Sequence, residues 1–211
     1  MPDVIKERID AGTPKEIREL FLAPYKYFSY KLWNMGCKRT ADIACGNAEG
    51  TDLMRLFFDS VIGVDQSPPL NKPGKINIFA DVSKSLPFKD NEFDAVVSFE
   101  TIEHLPQDKQ AFFINELDRI SKKAFILGSI NKLGPNDIRG VEIYKGKKNP
   151  YHLHELDASD FRGMKAAFNG RGTLYEADVY GSFYVAYNDT IRIEYAEIDE
   201  QPICNYLEVI K

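Results

Sequence analysis

Hydrophobic residues in the first two thirds of this 211-residue chain follow two alternating patterns. Apolar-rich runs that end in turn-forming residues predict strands at residues 40–44, 60–64, 75–80, 93–99 and 124–130. Between them, apolar residues recur at the helical spacing of three and four, which predicts helices at residues 49–58 and 105–120. Because the strands alternate with helices, the pattern predicts an α/β fold with a parallel sheet and right-handed crossovers.

Other patterns flank this alternation. Upstream, we expect a short helix and then a second helix after Pro24 that ends at Gly36, with aromatic residues that favour a core face over a lid. Downstream, residues 131–151 are rich in Gly, Lys, Asn and Pro, which is typical of a lid or of disorder at that length. Asp157 predicts the cap of a helix that runs to residue 168. Further strands are predicted at residues 173–179, 182–187, 191–198 and 205–210, the middle ones as an insertion or a hairpin at the sheet edge.

Composition and charge narrow the classes of function. The net charge of −5 argues against a protein that follows a nucleic-acid backbone, because phosphate neutralisation dominates such binding. Three cysteines without metal-ligand spacing imply a reducing compartment. The N-terminus lacks the apolar run of a signal peptide, and no stretch approaches the length of a membrane span. We therefore expect a cytoplasmic protein that consists of a single domain.

The turn after the first predicted strand is the strongest candidate for a ligand site. Small residues at positions 44, 46, 48 and 50 keep side chains out of the turn, so that backbone N–H groups can approach a ligand. Asp42 lies just before the turn and favours a ligand with a positive group over a phosphate. A tight turn without a ligand is the alternative.

Acidic residues end three successive predicted strands. Ligands of open α/β sheets bind outside the carboxyl ends of the strands, where Asp42, Asp65 and Asp81 are expected to lie. An acidic residue at the place of Asp65 hydrogen-bonds a ribose diol, and Asp81 is suited to accept from an adenine amino group. Each of the three could instead be a helix cap, but three in register favour a ligand site.

Four motifs in this order resemble those of the class I S-adenosylmethionine-dependent methyltransferases: residues 42–50, 63–65, 80–88 and 93–105. The resemblance implies S-adenosylmethionine as the cofactor and a Rossmann-like fold, with a doubly wound, mostly parallel seven-stranded sheet, helices on both faces and extra β-strands near the C-terminus. It also implies a single domain, with residues 1–36 as N-terminal helices or lid, 37–130 as the cofactor-binding core and 131–211 as the substrate-side part. The implied cofactor-binding residues are Asp42, Ala44 and Gly46 at the methionine part, Asp65 and Gln66 at the ribose, Asp81 and Val82 at the adenine, and Ser98 or Phe99, whose carbonyl would accept from the cofactor's amino group.

The sequence departs from this family in the turn, where Ala44 and Ala48 replace glycines. Alanine disfavours positive φ, so the turn either avoids it or is strained, and cofactor affinity is the property at stake. Two other nucleotide-binding classes fit less well. A P-loop needs a lysine that this turn lacks, and Gly46 and Gly50 do not have the spacing of a dinucleotide-binding motif.

The three histidines indicate which residues are expected to lie near the methyl acceptor. Residues 149–156 look like an Asn-Pro-x-His-x-x-Glu motif of methyltransferases that act on glycan sugars, with His152 and Glu155 as the matching residues. His154 stands where that family commonly has an arginine. The resemblance therefore implies a sugar or other small-molecule acceptor, and a helix-entry turn is the alternative.

Transfer of a methyl group to oxygen needs a base, and a neutral histidine serves near pH 7. His104 is the first candidate and His152 the second, with Glu103 or Glu155 orienting an imidazole. The polar lid would cover the substrate, and Tyr184 and Tyr187 offer flat surfaces for sugar rings.

The sequence leaves two other functions open. One is methylation of carbon or nitrogen on a quinone, a lipid or another metabolite. The other is a cofactor-binding or partner module without catalysis. Metal use stays open, since no clear set of metal ligands stands out in the sequence. The acceptor and the oligomeric state also stay open. Neither a nucleic-acid partner nor a membrane span is expected.

Overall fold

The computed structural model describes residues 15–67, 78–130, 151–169, 171–177, 183–187 and 204–211. The helices are α1 (Lys15–Asn34), α2 (Glu49–Met54), α3 (Gln107–Ile120) and α4 (Ala158–Gly163), and short 3₁₀ helices span Ile102–His104 and Lys165–Phe168. The strands are β1 (Arg39–Ile43), β2 (Ser60–Asp65), β3 (Ile78–Phe79), β4 (Phe93–Phe99), β5 (Ser121–Ile130), β6 (Thr173–Ala177), β7 (Phe183–Tyr187) and β8 (Cys204–Ile210). The predicted lid and the predicted strand at residues 191–198 lie outside the described residues.

The strands of the described residues form one sheet in the order β3-β2-β1-β4-β5-β8-β6-β7. The first five strands of this order are parallel, so their carboxyl ends meet at one edge. Strand β8 lies antiparallel between β5 and β6, and β7 adds an antiparallel strand beside β6. The predicted doubly wound, mostly parallel fold is confirmed, with seven strands and an additional strand, β7, at the sheet edge.

Helices cover both faces of the sheet because side chains of the central strands alternate between two cores. On one face, Val96 and Phe125 pack with side chains of α3 and α4, among them Phe113 and Phe161. On the other face, the intervening strand residues pack with Phe28 of α1 and with α2. Both cores lie below the carboxyl ends of the parallel strands and hold them in register.

The structure corrects the prediction of two N-terminal helices. Helix α1 is continuous through Pro24, although a proline inside a helix removes a backbone donor and costs about 3 kcal/mol. Phe28 and Leu32 follow it on the buried face, each 0% exposed, and anchor the second half of the helix on the sheet. Packing on the sheet therefore outweighs the local preference for a break.

Two other helices are shorter than predicted. Helix α2 ends at Met54 rather than at residue 58, and the chain continues in turns. The helix capped by Asp157 ends at Gly163, and a 3₁₀ helix covers the remainder to Phe168. Asp157 forms the predicted cap, since its side chain accepts from the backbone N–H groups of Ser159 and Asp160.

Among the described residues, no helix combines the length and the hydropathy that crossing a membrane requires.

Candidate active site

The turn after β1 adopts the strained alternative. Ala44 and Ala48 have φ angles of 60° and 62°, and Gly46 between them has 56°. The left-handed region costs a non-glycine residue about 1 to 2 kcal/mol, so the surrounding contacts must impose it. One such contact joins the turn to β2, where the Cys45 N–H donates to the Val64 carbonyl at 2.9 Å. The turn is therefore tight despite its two alanines, and its role in binding the cofactor stays a prediction.

Asp42 is fully buried at the end of β1 and is held by two hydroxyl groups. Thr51 Oγ1 donates to its Oδ2 at 2.6 Å, and the Tyr25 hydroxyl donates to its Oδ1 at 3.1 Å. Burial raises the pKa of the Asp42 carboxyl to about 7, the two hydrogen bonds lower it, and the charge of Asp65 adds to the rise. A cation placed nearby would favour the ionised carboxylate.

Tyr25 bridges the ends of β1 and β4 from helix α1. Its ring packs against Gly50, where an added Cβ would lie 2.1 Å from the ring, and it contacts the Phe99 ring edge-on with centroids 4.7 Å apart. Burial and the charge of Asp42 raise the pKa of the Tyr25 hydroxyl well above its usual value, so it stays a hydrogen-bond donor. The aromatic residues after Pro24 were predicted only as a core face or a lid, and contact of Tyr25 with Asp42 was not predicted. Gly50, whose lack of a side chain leaves room for the Tyr25 ring, was the one sign of this contact in the sequence.

Asp65 connects the first two strand ends. Its Oδ2 accepts from the Gly46 N–H at 2.9 Å and its Oδ1 from the Ser67 N–H at 3.0 Å. These bonds fix the carboxylate at the strand end where a ribose contact is predicted, and Gln66 beside it is exposed. The roles of Asp65 and Gln66 in binding stay predictions.

Asp81 caps a turn after β3. Its Oδ1 accepts from the Ser83 N–H at 3.0 Å and from the Ser83 hydroxyl at 2.7 Å, and the hydroxyl bond is the main cause of its lowered pKa. This is the capping role that the sequence left open as an alternative. Val82 is half-buried and packs against the core. Contact of either residue with adenine stays a prediction.

The end of β4 carries backbone strain. Ser98 and Phe99 are buried, and the next residue, Glu100, has a φ of 53°. Two bonds impose this conformation: the Glu100 N–H donates to the Gly128 carbonyl at 3.0 Å, and the Thr101 hydroxyl donates to the Phe99 carbonyl at 3.2 Å. Strain of this kind clusters at functional sites and turns the chain sharply into the 3₁₀ helix that follows.

That 3₁₀ helix meets the segment at 151–155. The Glu103 carbonyl accepts from the N–H groups of Leu153, at 2.8 Å, and His154, at 3.1 Å. Gln110 reinforces the junction, because its Nε2 donates to the carbonyls of Ile102 and His154 and its Oε1 faces His154 Nδ1 at 3.0 Å. His154 therefore belongs to the junction itself.

The junction brings all four predicted catalytic residues together. The rings of His104 and His152 lie edge-to-face with centroids 4.9 Å apart. His152 Nδ1 lies 2.7 Å from Glu155 Oε1, and His104 Nδ1 lies 3.1 Å from the Tyr151 carbonyl. One oxygen or nitrogen each from Glu103, His104 and His152 lie within 4.8 Å of one another. The sequence predicted that Glu103 or Glu155 orients an imidazole but did not predict that the two histidines meet, and the structure shows all four residues as one cluster after β4.

Solved structures establish the class of fold. The chain resembles an S-adenosylmethionine-dependent methyltransferase from Archaeoglobus fulgidus with a TM-score of 0.59 at 18% identity, covering 89% of this chain and 94% of that one. It also resembles the magnesium protoporphyrin IX methyltransferase of Synechocystis PCC 6803, solved with bound S-adenosylhomocysteine, with a TM-score of 0.60 at 14% identity, covering 96% and 90%. At these identities the likeness shows a methyltransferase-type α/β fold.

The sequence comparisons give matches over part of the chain. Residues 41–127 match the family described as "Methyltransferase domain". A curated protein of Mycolicibacterium smegmatis, named "Probable S-adenosylmethionine-dependent methyltransferase", is 28% identical over 142 residues, which are 63% of this chain and 52% of that protein. The chain spans about half the length of the curated relatives it matches. Over residues 41–127 the chain is therefore similar to S-adenosylmethionine-dependent methyltransferases, and the predicted cofactor is confirmed.

Proposed function

We propose that this chain transfers a methyl group from S-adenosylmethionine to a hydroxyl group of a sugar, with a histidine as the general base. The observation that carries the proposal is the contact between His152 Nδ1 and Glu155 Oε1, which lie 2.7 Å apart. Both side chains are buried, and His152 packs against His104. The pair lies just beyond β4, at the edge of the sheet where the cofactor-binding turn also lies. An imidazole oriented by a carboxylate is a common arrangement for removing a proton from a hydroxyl.

The tautomer of His152 follows from its partner. An ionised carboxylate only accepts hydrogen bonds, so Nδ1 carries the proton and the lone pair of the neutral ring is on Nε2. In methyl transfer, the acceptor oxygen forms a bond to the methyl carbon while the carbon–sulfur bond breaks and S-adenosylhomocysteine leaves. The hydroxyl proton passes to Nε2, and Glu155 stabilises the resulting imidazolium. His104 faces a neutral carbonyl, which gives less stabilisation, so His152 becomes the first candidate for the base.

The sugar acceptor rests on the residues around the cluster. His152 and Glu155 are the two residues that match the sugar-methyltransferase motif. The magnesium protoporphyrin IX methyltransferase shares the fold but is named for a different acceptor, so the fold alone does not select the acceptor. A cytoplasmic site of action is part of the proposal, in keeping with Cys37 and Cys45, which are buried and not in a disulfide.

Methyl incorporation from labelled S-adenosylmethionine tests the acceptor. We expect incorporation into members of a panel of rhamnosides, fucosides and hexosides, and its loss when one ring hydroxyl is replaced by hydrogen, because the matching polar groups are left unpaired. Incorporation confined to quinones, catechols or short RNA would refute the sugar acceptor. Cofactor binding without transfer to any acceptor would favour a module without catalysis.

Two variants test the assigned roles. His152→Ala is expected to lower kcat by about 10²- to 10⁴-fold while S-adenosylhomocysteine still raises the melting temperature. Asp65→Ala is expected to lose most of that rise in melting temperature. Unchanged turnover in His152→Ala with a large loss in His104→Ala would transfer the base to His104.

A further inference from the structure

We propose that Glu103, His104 and His152 form a binding site for a divalent transition-metal ion. Their ligand atoms lie within 4.8 Å of one another, whereas ligands around one ion at about 2.1 Å are roughly 3 to 3.5 Å apart. Small rotations of the side chains are enough to close that difference. The Glu103 and His104 ligands come from one 3₁₀ helix and the third from the segment bonded to its backbone, so the elements that carry them are already docked.

The hydrogen bonds of both imidazoles orient them for metal binding. Nδ1 of His104 faces the Tyr151 carbonyl and Nδ1 of His152 faces the Glu155 carboxylate. Each partner is an acceptor, so each Nδ1 carries a proton and each neutral ring has its lone pair on Nε2. Metal-binding histidines in proteins nearly always have such a partner on the second ring nitrogen, which fixes the tautomer and the ring orientation.

The third ligand is a carboxylate with no exposed surface. Glu103 is 0% exposed, and burial of an ionised carboxylate is unfavourable unless nearby positive charge compensates it. A divalent cation would supply that charge. Two imidazoles and one carboxylate suit Mn²⁺, Fe²⁺, Co²⁺ or Zn²⁺, whereas Mg²⁺ and Ca²⁺ prefer sites made of oxygen. Three protein ligands also leave positions open for a substrate oxygen.

The consequence for chemistry rests on the proposed function. A hydroxyl group bound to the ion would have a lowered pKa, so its oxygen would attack the methyl group more readily. The lone pair of His152 would then be on the ion, so the hydroxyl proton would pass to a solvent water molecule instead of to the imidazole. The two modes differ in the effect of a chelator. If the reaction depends on the ion, removal of the ion would lower its rate. If the imidazole is the base, removal of the ion would leave the rate unchanged.

Binding is measured without reference to activity. We would titrate the metal-stripped, tag-free full chain with Mn²⁺ and follow the free ion by electron paramagnetic resonance. Wild type is expected to bind one Mn²⁺, and Glu103→Gln and His104→Ala to weaken binding by at least tenfold. Glu155→Gln is expected to weaken it by about 10- to 100-fold, because it replaces the charged partner of His152 Nδ1 with a neutral amide and leaves all three ligands in place. His154→Asn is the matched control, since this nearby histidine faces Gln110, and it is expected to bind like wild type.

The outcomes separate this proposal from the proposed function. Melting curves with S-adenosylhomocysteine identify the variants that fold, and only those are compared. Absence of Mn²⁺ binding by wild type, equal binding in Glu103→Gln and His104→Ala, or an equal loss in His154→Asn would overturn the metal site. Sugar methylation that persists with a chelator, together with absent Mn²⁺ binding, would leave the proposed function standing alone. Mn²⁺ binding with the expected losses, but without any sugar acceptor, would leave the metal site standing alone.

Discussion

Replacement of Asp42 by asparagine is expected to remove a pH dependence of stability that this buried carboxyl creates. Its side chain is 0% exposed, and its pKa is raised to about 7 by burial. In the unfolded chain an aspartate has a pKa of about 3.9. The folded state therefore binds more protons between these values, so the contribution to stability is full below about pH 4 and is lost as the pH rises through about 7. The amide of the substituted side chain would keep a hydrogen-bond partner for both Thr51 and Tyr25.

The magnitude follows from the difference in pKa. At about 1.4 kcal/mol per unit, the full titration lowers the free energy of unfolding by about 4 kcal/mol, and roughly 2 to 3 kcal/mol of this falls between pH 5 and pH 8. For a chain of this size, that corresponds to about 5 to 10 °C in melting temperature. Asp42→Asn is therefore expected to melt above wild type at pH 8, with the difference shrinking towards pH 5.

The assay is urea unfolding of both proteins at half-unit steps from pH 5 to pH 8.5. Only the difference between them is interpreted, because groups far from Asp42 contribute the same pH dependence to both proteins. Asp81→Asn is the matched control, since the pKa of Asp81 is lowered and this carboxyl is ionised throughout the range. Parallel stability curves for wild type and Asp42→Asn would refute the reasoning. The raised pKa would then not describe the folded protein.

Two further substitutions test the geometry of the turn. Ala44→Gly is expected to raise the free energy of unfolding by about 0.5 to 1 kcal/mol, because glycine adopts a φ of 60° without strain. Ala41→Gly, in the strand before the turn, is the control and is expected to lower the free energy of unfolding. Urea unfolding measures both, and a lower stability of Ala44→Gly would contradict the strain. Gly50→Ala is expected to lower the free energy of unfolding by more than about 1 kcal/mol, because its Cβ would overlap the Tyr25 ring. The loss should be smaller when Tyr25 is also replaced by alanine, and an equal loss with and without the Tyr25 ring would contradict the contact.

Sequence reasoning located the acidic side chains at the strand ends because strands follow simple patterns. Apolar-rich runs such as residues 93–99 mark strands that are covered on both faces, and the residue that follows a parallel strand lies at the ligand edge by topology alone. The positions of Asp42 and Asp65 therefore needed no knowledge of tertiary contacts. For Ala44 and Ala48, local preference left two possibilities. In the structure the turn is strained and is held both by a bond within it, from the Ala48 N–H to the Cys45 carbonyl, and by a bond to β2 at Val64.

The contacts that the sequence did not reveal are those between distant segments. Tyr25 reaches Asp42 only because α1 packs across the sheet, and that depends on a helix that continues through Pro24. His104 and His152 were both predicted as catalytic, but their contact depends on backbone bonds from the segment at 151–155 to Glu103. No periodicity in the chain encodes such a junction. The side-chain contacts that define this junction are visible only in the folded structure.

The position of β8 has a consequence for the order in which the molecule can fold. This strand follows all the other described strands in sequence, yet it lies inside the sheet, where Ile130 pairs with Cys204 and β6 pairs with its other edge. During synthesis, β5 must therefore wait with an open edge until the whole segment after it has been made. Unpaired strand edges invite pairing with other chains, and such long-range closure is slow. We expect the nascent chain to be most prone to aggregation in this interval.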